Sequence, residues 1–437
     1  MDGPDFKGKD TGGFLKADAL LPVGSVSWDI MKNVIDGKKI VLGVCGGIAA
    51  YKAVELLRGL KKMGAQVRVV MTENASWFIS PLTFQALSGL PVSTGLFREN
   101  DETCFKHIDW AQEADLVVIA PATADMIGKL ANGIADDALS TFMLAVTSVK
   151  MVCPSMNSHM YENRVVQRNL DTLESDGYVV LEPGAGELAC GTTGPGRLPD
   201  PPLILDRIVC HLTRKDFLGK NVLVTAGPTQ EPMDPVRFIS NPSSGKMGYA
   251  IARAAEHRGA DVTLVAGPTN LADPVNVKMI KVLTAEQMAS QVFSSMQQAD
   301  IIIKSAAVSD YRPKKKSLHK LKKKDGDLTV EFERTQDILK TLGEKKKHQI
   351  LVGFAAETRE LRQNAEKKLS EKDLDLIVGN LVGDPGSGFG SESNKVTIFC
   401  RDGSCERLPS MQKSEVAHAL LDRIKMLTDH KIEKTGG

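Results

Sequence analysis

The stretch KKIVLGVCGGIAAYKAVELLRGLKKMGAQVRVVMT, which begins at Lys38, decides the fold of the first half of this chain. It predicts a buried strand, a glycine-containing turn, a helix, a Gly-Ala turn and a second strand. A second stretch repeats this order, with KNVLVTAGPT from Lys220 and RGADVTLVAGPT ending at Thr269. Each half then carries a second shared pattern, ADLVVIAPATAD from Ala114 and ADIIIKSAAVSD from Ala299. The repetition predicts two α/β units, each with a nucleotide-type site.

Composition shifts along the chain predict an irregular extension at residues 1–37, a first unit at 38–212 and a second unit at 213–437. Continuous apolar runs such as IVLGV, LVVIA, DVTLVA and ILVGFAA are typical of parallel strands that are buried on both faces. The predicted fold class is therefore α/β, with two Rossmann-like three-layer domains. The segment EPGAGELACGTTGPGRLPDPP has no periodic apolar pattern, and we expect a long functional loop there.

The composition is that of an ordinary globular protein, with 42% hydrophobic residues, 25% charged residues and a net charge of +1. This charge gives no bulk attraction to nucleic acid or to a membrane surface. No apolar run reaches the roughly 18 residues of a membrane span, and the first ten residues lack a signal-peptide core. The seven cysteines include no CxxC pair, so we expect a cytoplasmic protein with Cys400 and Cys405 as free thiols.

The turn Cys45-Gly46-Gly47-Ile48 joins the first strand to a helix. Glycines at such a turn let backbone N–H groups approach an anion, and the helix N-terminus adds partial positive charge. The turn is not GxGxxG, and no acidic residue follows at the distance where a dinucleotide-binding unit holds a ribose. The pattern favours a mononucleotide such as FMN over NAD, although the turn alone fits a ligand-free tight turn equally well.

Polar groups also follow later strands of the first half, where α/β sheets bind ligands. Thr123 follows the LVVIA strand, and Asn157 follows KMVCP, where an amide can bind a carboxylate or simply form a turn. His107 precedes the LVVIA strand, and a single His taken alone is more often a surface residue than a base. Cys190 lies in the Gly-rich segment, where a core thiol is not expected, so it is either incidental or chemical.

The motifs GGIAAYK, HI, PATAD, PSMNSHM and ACGTTGPGR occur in this order and together resemble the flavin-containing cysteine decarboxylases. They resemble in particular the phosphopantothenoylcysteine decarboxylase domain of bacterial bifunctional coenzyme A enzymes. The resemblance implies a flavodoxin-like fold with FMN, and gives His107 the role of base, Asn157 that of carboxylate-binding amide and Cys190 that of loop acid. The implied flavin contacts are Gly46, Gly47, Ile48, Thr72, Ala122 and Thr123. Cys45 departs from the expected Ser or Thr, and Trp110 is bulkier than expected.

The implied chemistry explains why these groups are needed. A cysteine amide cannot lose CO2 without an electron sink, and oxidation of its CH2–SH group by flavin supplies one. Decarboxylation then gives an enethiolate. The protein must hold the substrate carboxylate, which suits Asn157, and donate the last proton, which suits Cys190. His107 suits proton handling near neutral pH.

In the second half the first strand runs into a long turn, QEPMDPVRFISNPSSGKMG, before the next helix. Its SSGKMG segment, residues 243–248, is expected to cradle phosphate but does not fit GxxxxGK[ST], which disfavours a hydrolytic motor. A simple helix cap at Ser243 or Ser244 is the alternative. Asp310 follows a later strand, where a carboxylate can hold Mg2+ or a nucleotide. The KLKK cluster from Lys320 is either phosphate-binding or a solvated surface.

The long turn, followed by AAVSDYRP, KLKK, GFAAET and GN, is similar to phosphopantothenate–cysteine ligase, the partner domain of the same enzymes. The similarity implies CTP, Mg2+ held mainly through the nucleotide phosphates, and contact of Asn241 with an acyl-cytidylate. Residues 336–339 depart from the more usual Asn-Pro-Asp-Ile. Lys368 and Lys372 are spaced to share one helix face. The implied CTP-binding residues are Asp310, Lys320, Gln336, Asp337, Ile338, Leu339, Phe354, Lys368 and Lys372.

Taken together, the two resemblances predict a bifunctional enzyme of coenzyme A biosynthesis. It would join cysteine to 4′-phosphopantothenate with CTP and then decarboxylate the product to 4′-phosphopantetheine. The resemblance also implies a homo-oligomer with a trimeric decarboxylase core and a dimeric ligase, up to a dodecamer. One alternative is another FMN enzyme such as a flavin prenyltransferase, which would leave Cys190 and the second half unexplained. The other is a non-catalytic regulatory flavoprotein, which loss of His107 or Cys190 would favour.

Overall fold

The computed structural model describes residues 34–95, 106–187, 191, 193–322, 328–357, 359–381 and 390–435, with the backbone alone for residues 106–108 and 430–435. Two sheets, one in each half of the chain, organise these residues. Helices cover both faces of each sheet, and four clusters of buried apolar side chains fill the layers between sheet and helices. The predicted α/β class with two Rossmann-like three-layer units is confirmed.

The first sheet is parallel and has the strand order β2-β1-β3-β4-β5. This is the order of flavodoxin-like folds, so the prediction for the first unit is confirmed. Its strands are β1 (Lys39–Val44), β2 (Gln66–Met71), β3 (Leu116–Ala122), β4 (Val149–Pro154) and β5 (Val179–Val180). The α-helices of this half are Ala50–Lys62, Pro81–Ser88, Lys106–Glu113, Ala124–Ala131, Ala138–Leu144, Ser158–Tyr161, Arg164–Ser175 and Pro201–Leu212, with a 3-10 turn at Glu73–Trp77.

The Gly-rich segment is partly regular, which the sequence did not predict. It forms an antiparallel hairpin of β6 (Gly184–Glu187) and β7 (Thr193–Arg197). The hairpin lies against the end of β4, where the Met156 N–H donates to Gly196 O at 3.0 Å. Strand β7 therefore lies beside the segment that carries Asn157.

The second sheet has the order β12-β11-β8-β13-β16-β17-β19-β20, with the last two strands antiparallel. Its strands are β8 (Asn221–Ala226), β11 (Asp261–Ala266), β12 (Val277–Lys281), β13 (Ile301–Lys304), β16 (Ile350–Glu357), β17 (Leu376–Leu381), β19 (Val396–Cys400) and β20 (Cys405–Arg407). Small two-stranded ribbons pair β9 (Gln230–Pro232) with β10 (Phe238–Ser240), β14 (Tyr311–Pro313) with β15 (Phe332–Arg334), and β18 (Ser393–Asn394) with β21 (Met411–Gln412). The α-helices are Lys246–His257, Ala285–Ser295, Ile338–Lys345, Leu361–Glu371 and Lys413–Thr435, with a 3-10 turn at Met296–Gln298.

The two halves meet at a buried ionic group between helix Pro201–Leu212 and the end of helix Lys246–His257. Arg207 Nη1 lies 2.8 Å from Glu256 Oε1, and His257 Nε2 lies 3.0 Å from Asp206 Oδ1. Burial alone would raise the pKa of Asp206, but the His257 hydrogen bond and the neighbouring arginines hold it well below its usual range. Removing one member would leave an uncompensated buried charge, so this group fixes the junction.

Cys400 and Cys405 are free thiols, as predicted. Cys405 is paired with Phe399 across β19 and β20, so its side chain shares a sheet face with Phe399. Cys400 is the next residue along and points to the other face, which keeps the two sulfur atoms apart. Among the residues that the structure describes, no helix is long and apolar enough to cross a membrane.

Two candidate nucleotide sites

The first crevice opens where the strand order of the first sheet reverses, between β1 and β3. The turn at residues 45–48 leaves β1, and Thr123 leaves β3 as the N-cap of helix Ala124–Ala131. The Cys45 N–H donates to Pro121 O at 3.2 Å, so the two strand ends are joined by the backbone. Thr123 Oγ1 accepts from the Met126 N–H at 3.4 Å. In open α/β sheets such a switch point is the usual place for a ligand.

Glycine is required at position 46. A Cβ there would lie 2.5 Å from Asn74 Cβ, because the turn passes close to the 3-10 turn after β2. At Gly47 the nearest atom to an added Cβ is Thr123 Cγ2, at 4.0 Å, so the space beside Gly47 is open. Ile48 is 65% exposed. The turn thus presents its backbone, rather than side chains, toward the crevice.

Thr72 supplies a buried hydroxyl at the same edge. Its N–H donates to Val44 O at 3.0 Å, which holds it next to the first turn. Its Oγ1 is buried and has no hydrogen-bond partner among the described residues. Buried polar atoms are normally satisfied, so this hydroxyl points to a ligand group. The glycine turn, the helix N-terminus and this hydroxyl fit a flavin mononucleotide; Ala122 is buried at the end of β3 beside them.

Cys45, the departure noted in the sequence, is buried at 1% exposure. Burial raises the pKa of its thiol to about 12, against the opposing effect of a hydrogen bond with Thr123. A thiol in this state is not a nucleophile near neutral pH. Cys45 therefore fills space under the turn and leaves the backbone cradle intact.

Asn157 is half-buried at the end of β4. Its Oδ1 accepts from the His159 N–H at 2.9 Å, so the side chain caps helix Ser158–Tyr161. The turn-forming role is therefore present, and carboxylate binding stays a prediction. His107 lies within helix Lys106–Glu113, where its backbone alone is described. Cys190 lies outside the described residues.

The second crevice is a cavity of about 670 Å3 at the carboxyl ends of β8, β13, β16 and β17. This is again the place where the strand order reverses. Lys320 is the predicted ligase-site residue that does not line the cavity, and it is exposed on the segment after β14. The other predicted residues of the ligase site do line it: Asn241, Asp310, Gln336, Asp337, Ile338, Leu339, Phe354, Lys368 and Lys372.

The SSGKMG segment leads into helix Lys246–His257 at one end of this cavity. The N-cap is Gly245, with φ 76° and no capping side chain, rather than Ser243 or Ser244. A side chain at Gly245 would need the disfavoured left-handed backbone, and its Cβ would lie 2.6 Å from Thr269 Cγ2. The first N–H groups of the helix lack intrahelical partners, which suits an anion.

Asn241 fixes the loop before this cradle. Its Nδ2 donates to Ala307 O at 3.3 Å and to Val308 O at 3.1 Å, just beyond the end of β13. The amide therefore ties the loop that carries Asn241 to the segment that follows β13, one of the two strands at the switch point. Substrate held at this point would lie between the cradle and the far end of the cavity.

Paired charges line that far end. Lys372 Nζ lies 2.7 Å from Asp337 Oδ2, and Lys368 Nζ lies 2.6 Å from Glu357 Oε1. The i, i+4 spacing predicted one shared helix face, but helix Leu361–Glu371 ends just before Lys372; both lysines nevertheless line the cavity. Burial opposes ionisation of Asp337, but the hydrogen bonds from Lys372 and the Lys340 N–H, together with the charges of Lys372 and Lys304, outweigh it and lower the pKa of the carboxyl.

Two lysines of the cavity were missed from the sequence. Lys304 ends β13, and burial lowers its pKa to about 8. The sequence signal for Lys304 was its position directly after the apolar residues Ile301, Ile302 and Ile303. Lys413 begins the last helix and is only 6% exposed; burial, and then the charge of Lys246, lower its pKa to about 8. Among the described residues, no group of three or more His, Cys, Asp or Glu side chains could hold a metal ion by itself.

A flavodoxin-like unit joined to a second doubly wound unit with a lysine-lined cavity defines an α/β protein with two candidate ligand sites. The family model described as Flavoprotein matches residues 30–213. The model described as DNA/pantothenate metabolism flavoprotein C-terminal domain matches residues 217–427. The first half is therefore a flavoprotein domain.

Relatives match almost the whole chain. The Coenzyme A biosynthesis bifunctional protein CoaBC of Bacillus subtilis is 49% identical over 406 residues, which is 92% of this chain and 100% of the relative. The protein of the same name from Escherichia coli is 47% identical over 400 residues, covering 90% and 98%. A crystal structure of the C-terminal domain of a CoaBC protein has 46% identity, a TM-score of 0.43, and covers 49% of this chain and 99% of that one. The chain belongs to the family of bifunctional coenzyme A biosynthesis proteins, and the predicted resemblance is confirmed.

Proposed function

We propose that the second half joins cysteine to 4′-phosphopantothenate at the expense of CTP, and that the first half decarboxylates the product with FMN. The observation that carries the ligase assignment is the single cavity that gathers Asn241 with Asp337, Phe354, Lys368 and Lys372. Membership of a bifunctional family accounts for both halves, whereas a flavin prenyltransferase would account for the first alone.

The ligase reaction begins when the substrate carboxylate attacks the α-phosphorus of CTP and pyrophosphate leaves. Negative charge grows on the phosphate oxygens, so preorganised N–H groups and lysines stabilise the transition state. The unpartnered N–H groups after Gly245 and the lysines of the cavity supply this stabilisation. Mg2+, carried by the nucleotide phosphates, would neutralise part of the same charge.

The cysteine amine then attacks the acyl carbon of the acyl-cytidylate and releases CMP. We propose that Asn241 holds this intermediate, because its amide is fixed just beyond the end of β13 and its residue lines the cavity. A contact of Lys320 with the nucleotide also belongs to this proposal, although its side chain lies outside the cavity lining.

In the first half, the backbone of Gly46 and Gly47 would hold the phosphate of FMN, while Ile48, Ala122, Thr72 and Thr123 would border the cofactor. Bound FMN would supply the oxidation of the CH2–SH group and the later return of hydride. Asn157 would hold the substrate carboxylate until CO2 leaves. His107 would move the thiol proton, and Cys190 would donate the last proton to carbon.

We also propose a homo-oligomer, with a trimeric first half and a dimeric second half. Large apolar side chains are exposed near the first crevice, among them Ile48 at 65% and Trp77 at 86%. Exposed apolar clusters of this kind are typical of contact surfaces. Phe238 and Tyr311, both 51% exposed, lie on the ribbons of the second half.

The two activities can be separated by His107→Asn. With phosphopantothenate, cysteine and CTP, this variant should accumulate phosphopantothenoylcysteine and release no CO2, since the ligase cavity is untouched. Cys190→Ser is the matched variant, which should release CO2 and stop before the final protonation. Mass spectrometry of the products distinguishes the two. Equal loss of ligation and CO2 release in His107→Asn would refute the division of labour.

A further inference from the structure

Lys413 lines the second cavity although it lies far along the chain from the other lysines of that cavity. It is the first residue of helix Lys413–Thr435, which packs along helix Lys246–His257. Lys246 is in turn the first residue of its own helix. Two helix N-termini, each beginning with a lysine, therefore meet at the same end of the cavity.

Both lysines are held by one short segment beside the cavity. Lys413 Nζ donates to Ser391 O at 2.5 Å, and Lys246 Nζ donates to Gly390 O at 3.0 Å. Lys246 Nζ also lies 2.5 Å from Glu392 Oε1, a half-exposed carboxylate. The segment thus fixes the position of both ammonium groups.

This arrangement places like charges together. Cations normally stabilise the C-terminus of a helix, because the N-terminus already carries partial positive charge. Burial and the charge of Lys246 both disfavour the ammonium form of Lys413, and Glu392 opposes them in part. A buried lysine beside a second lysine and a helix N-terminus is stabilised when an anion with several charges binds between them.

We propose that Lys413 and Lys246 form a polyphosphate clamp with the backbone of residues 243–248. This orients the nucleotide, with its phosphates at the clamp and its base toward Phe354 and Asp337 at the far end. An aromatic ring and a carboxylate there suit the face and the amino group of a pyrimidine. The inference rests on the proposed ligase function and adds a residue and an orientation to it.

The clamp is tested by measuring binding of inorganic pyrophosphate, CTP and cytidine to the full-length chain and to Lys413→Met. Loss of a charged phosphate contact should weaken the binding of pyrophosphate and of CTP about tenfold or more. Cytidine, which has no phosphate, should bind as to the parental chain, and this also shows that the cavity is folded. Lys425→Met removes one charge from the same helix away from the cavity and should change none of the three.

Two results would overturn the clamp. One is unchanged pyrophosphate binding with weakened 4′-phosphopantothenate binding, which would assign Lys413 to the phosphate monoester of the other substrate. The other is equal weakening of cytidine and pyrophosphate, which would make Lys413 a support of the whole cavity. Failure of the parental chain to consume CTP with phosphopantothenate would instead refute the ligase function, and these binding measurements do not depend on it.

Discussion

The two crevices occupy the same position in two similar sheets but offer different chemistry to a ligand. The first presents glycine backbone and hydroxyl groups, from Gly46, Thr72 and Thr123. In the part of the chain that the structure describes, the second is lined by five lysines: Lys246, Lys304, Lys368, Lys372 and Lys413. A shared topology therefore sets where a ligand binds, and the side chains at the strand ends set what happens to it.

The difference fits the fate of each ligand. A cofactor that stays bound through many turnovers can be held by shape and by neutral hydrogen bonds. A polyphosphate that is cleaved needs positive charge where negative charge develops in the transition state. Three predictions separate these two modes of binding, and a fourth concerns the cost of burying a charge in the second crevice.

The largest expected effect is that of Asn241→Asp in the second crevice. The carboxylate cannot donate to Ala307 O and Val308 O, and it would repel the phosphate of the intermediate. We expect a loss of about 2–4 kcal/mol, roughly 30- to 1000-fold, in the rate of ligation. Flavin content should not change. Asn157→Asp is the reciprocal variant and should leave ligation intact; a loss of ligation there would show that the crevices are not independent.

Gly46→Val should empty the first crevice. A Cβ at position 46 would overlap Asn74, and the turn would have to move to relieve an overpacking cost of about 1–3 kcal/mol. Restoring the phosphate-binding geometry of the turn on flavin binding would bring this cost back, which corresponds to flavin binding weakened up to ~5- to 150-fold. Gly128→Ala is the control, because a Cβ there would lie 3.6 Å from Asn169 Nδ2, an ordinary contact, and Gly128 is not among the proposed flavin contacts. Flavin absorbance after gel filtration measures both. If Gly128→Ala loses as much flavin as Gly46→Val, close packing at Gly46 is not the cause.

Added salt should weaken nucleotide binding in the second crevice and leave flavin binding in the first unchanged. Raising the ionic strength from about 0.05 to 0.5 M shortens the screening length several-fold, so KM for CTP should rise several-fold. Flavin content should stay constant over the same range, because neutral groups hold the cofactor. A KM that is insensitive to salt would mean that the lysines contribute little to nucleotide binding.

The smallest expected effect is that of Lys304→Met on stability. The pKa of Lys304 is about 8 in the folded chain and about 10.4 when unfolded. The unfolded chain therefore binds more protons between these values, and stability rises with pH across that window. The groups facing Lys304 are Asp337, Lys372 and Asp310.

Lys304→Met removes this cost of burying a charge. At pH 7 it should raise the free energy of unfolding of the second half by about 1 kcal/mol, a discounted value because the side chain is partly exposed. The unfolding midpoint should rise by a few degrees. The gain should shrink toward pH 10, where the native lysine is already neutral. A gain of equal size at pH 7 and pH 10 would assign the effect to packing.

The sequence predicted the central strands of both units, because each is a continuous apolar run of the length that a buried parallel strand needs. It did not predict the hairpin of β6 and β7, since strands rich in glycine and proline lack an alternating apolar face. That hairpin is held instead by backbone contact with the segment after β4, such as the bond from Met156 to Gly196. Contacts of this kind leave no periodic signal.

The residues of the candidate sites also fall into those that the sequence could predict and those that it could not. Residues in motifs next to strand ends, such as Asn241 and Asp337, could be placed from the sequence. Lys413 could not, because it reaches the cavity through the packing of a distant helix. Lys320 was expected at the nucleotide, but its side chain is exposed outside the lining, and its contact with CTP stays a prediction.

The last helix gives the chain an order of maturation during synthesis. The flavodoxin-like sheet is complete once β5 has been made, so the first half can form while the ribosome is still translating the second. The lysine-lined cavity lacks Lys413 until helix Lys413–Thr435 has emerged and packed onto helix Lys246–His257. A nascent chain would thus acquire its flavin crevice well before it could bind a nucleoside triphosphate. A ribosome stalled before Lys413 would hold a chain in which only the first site is complete.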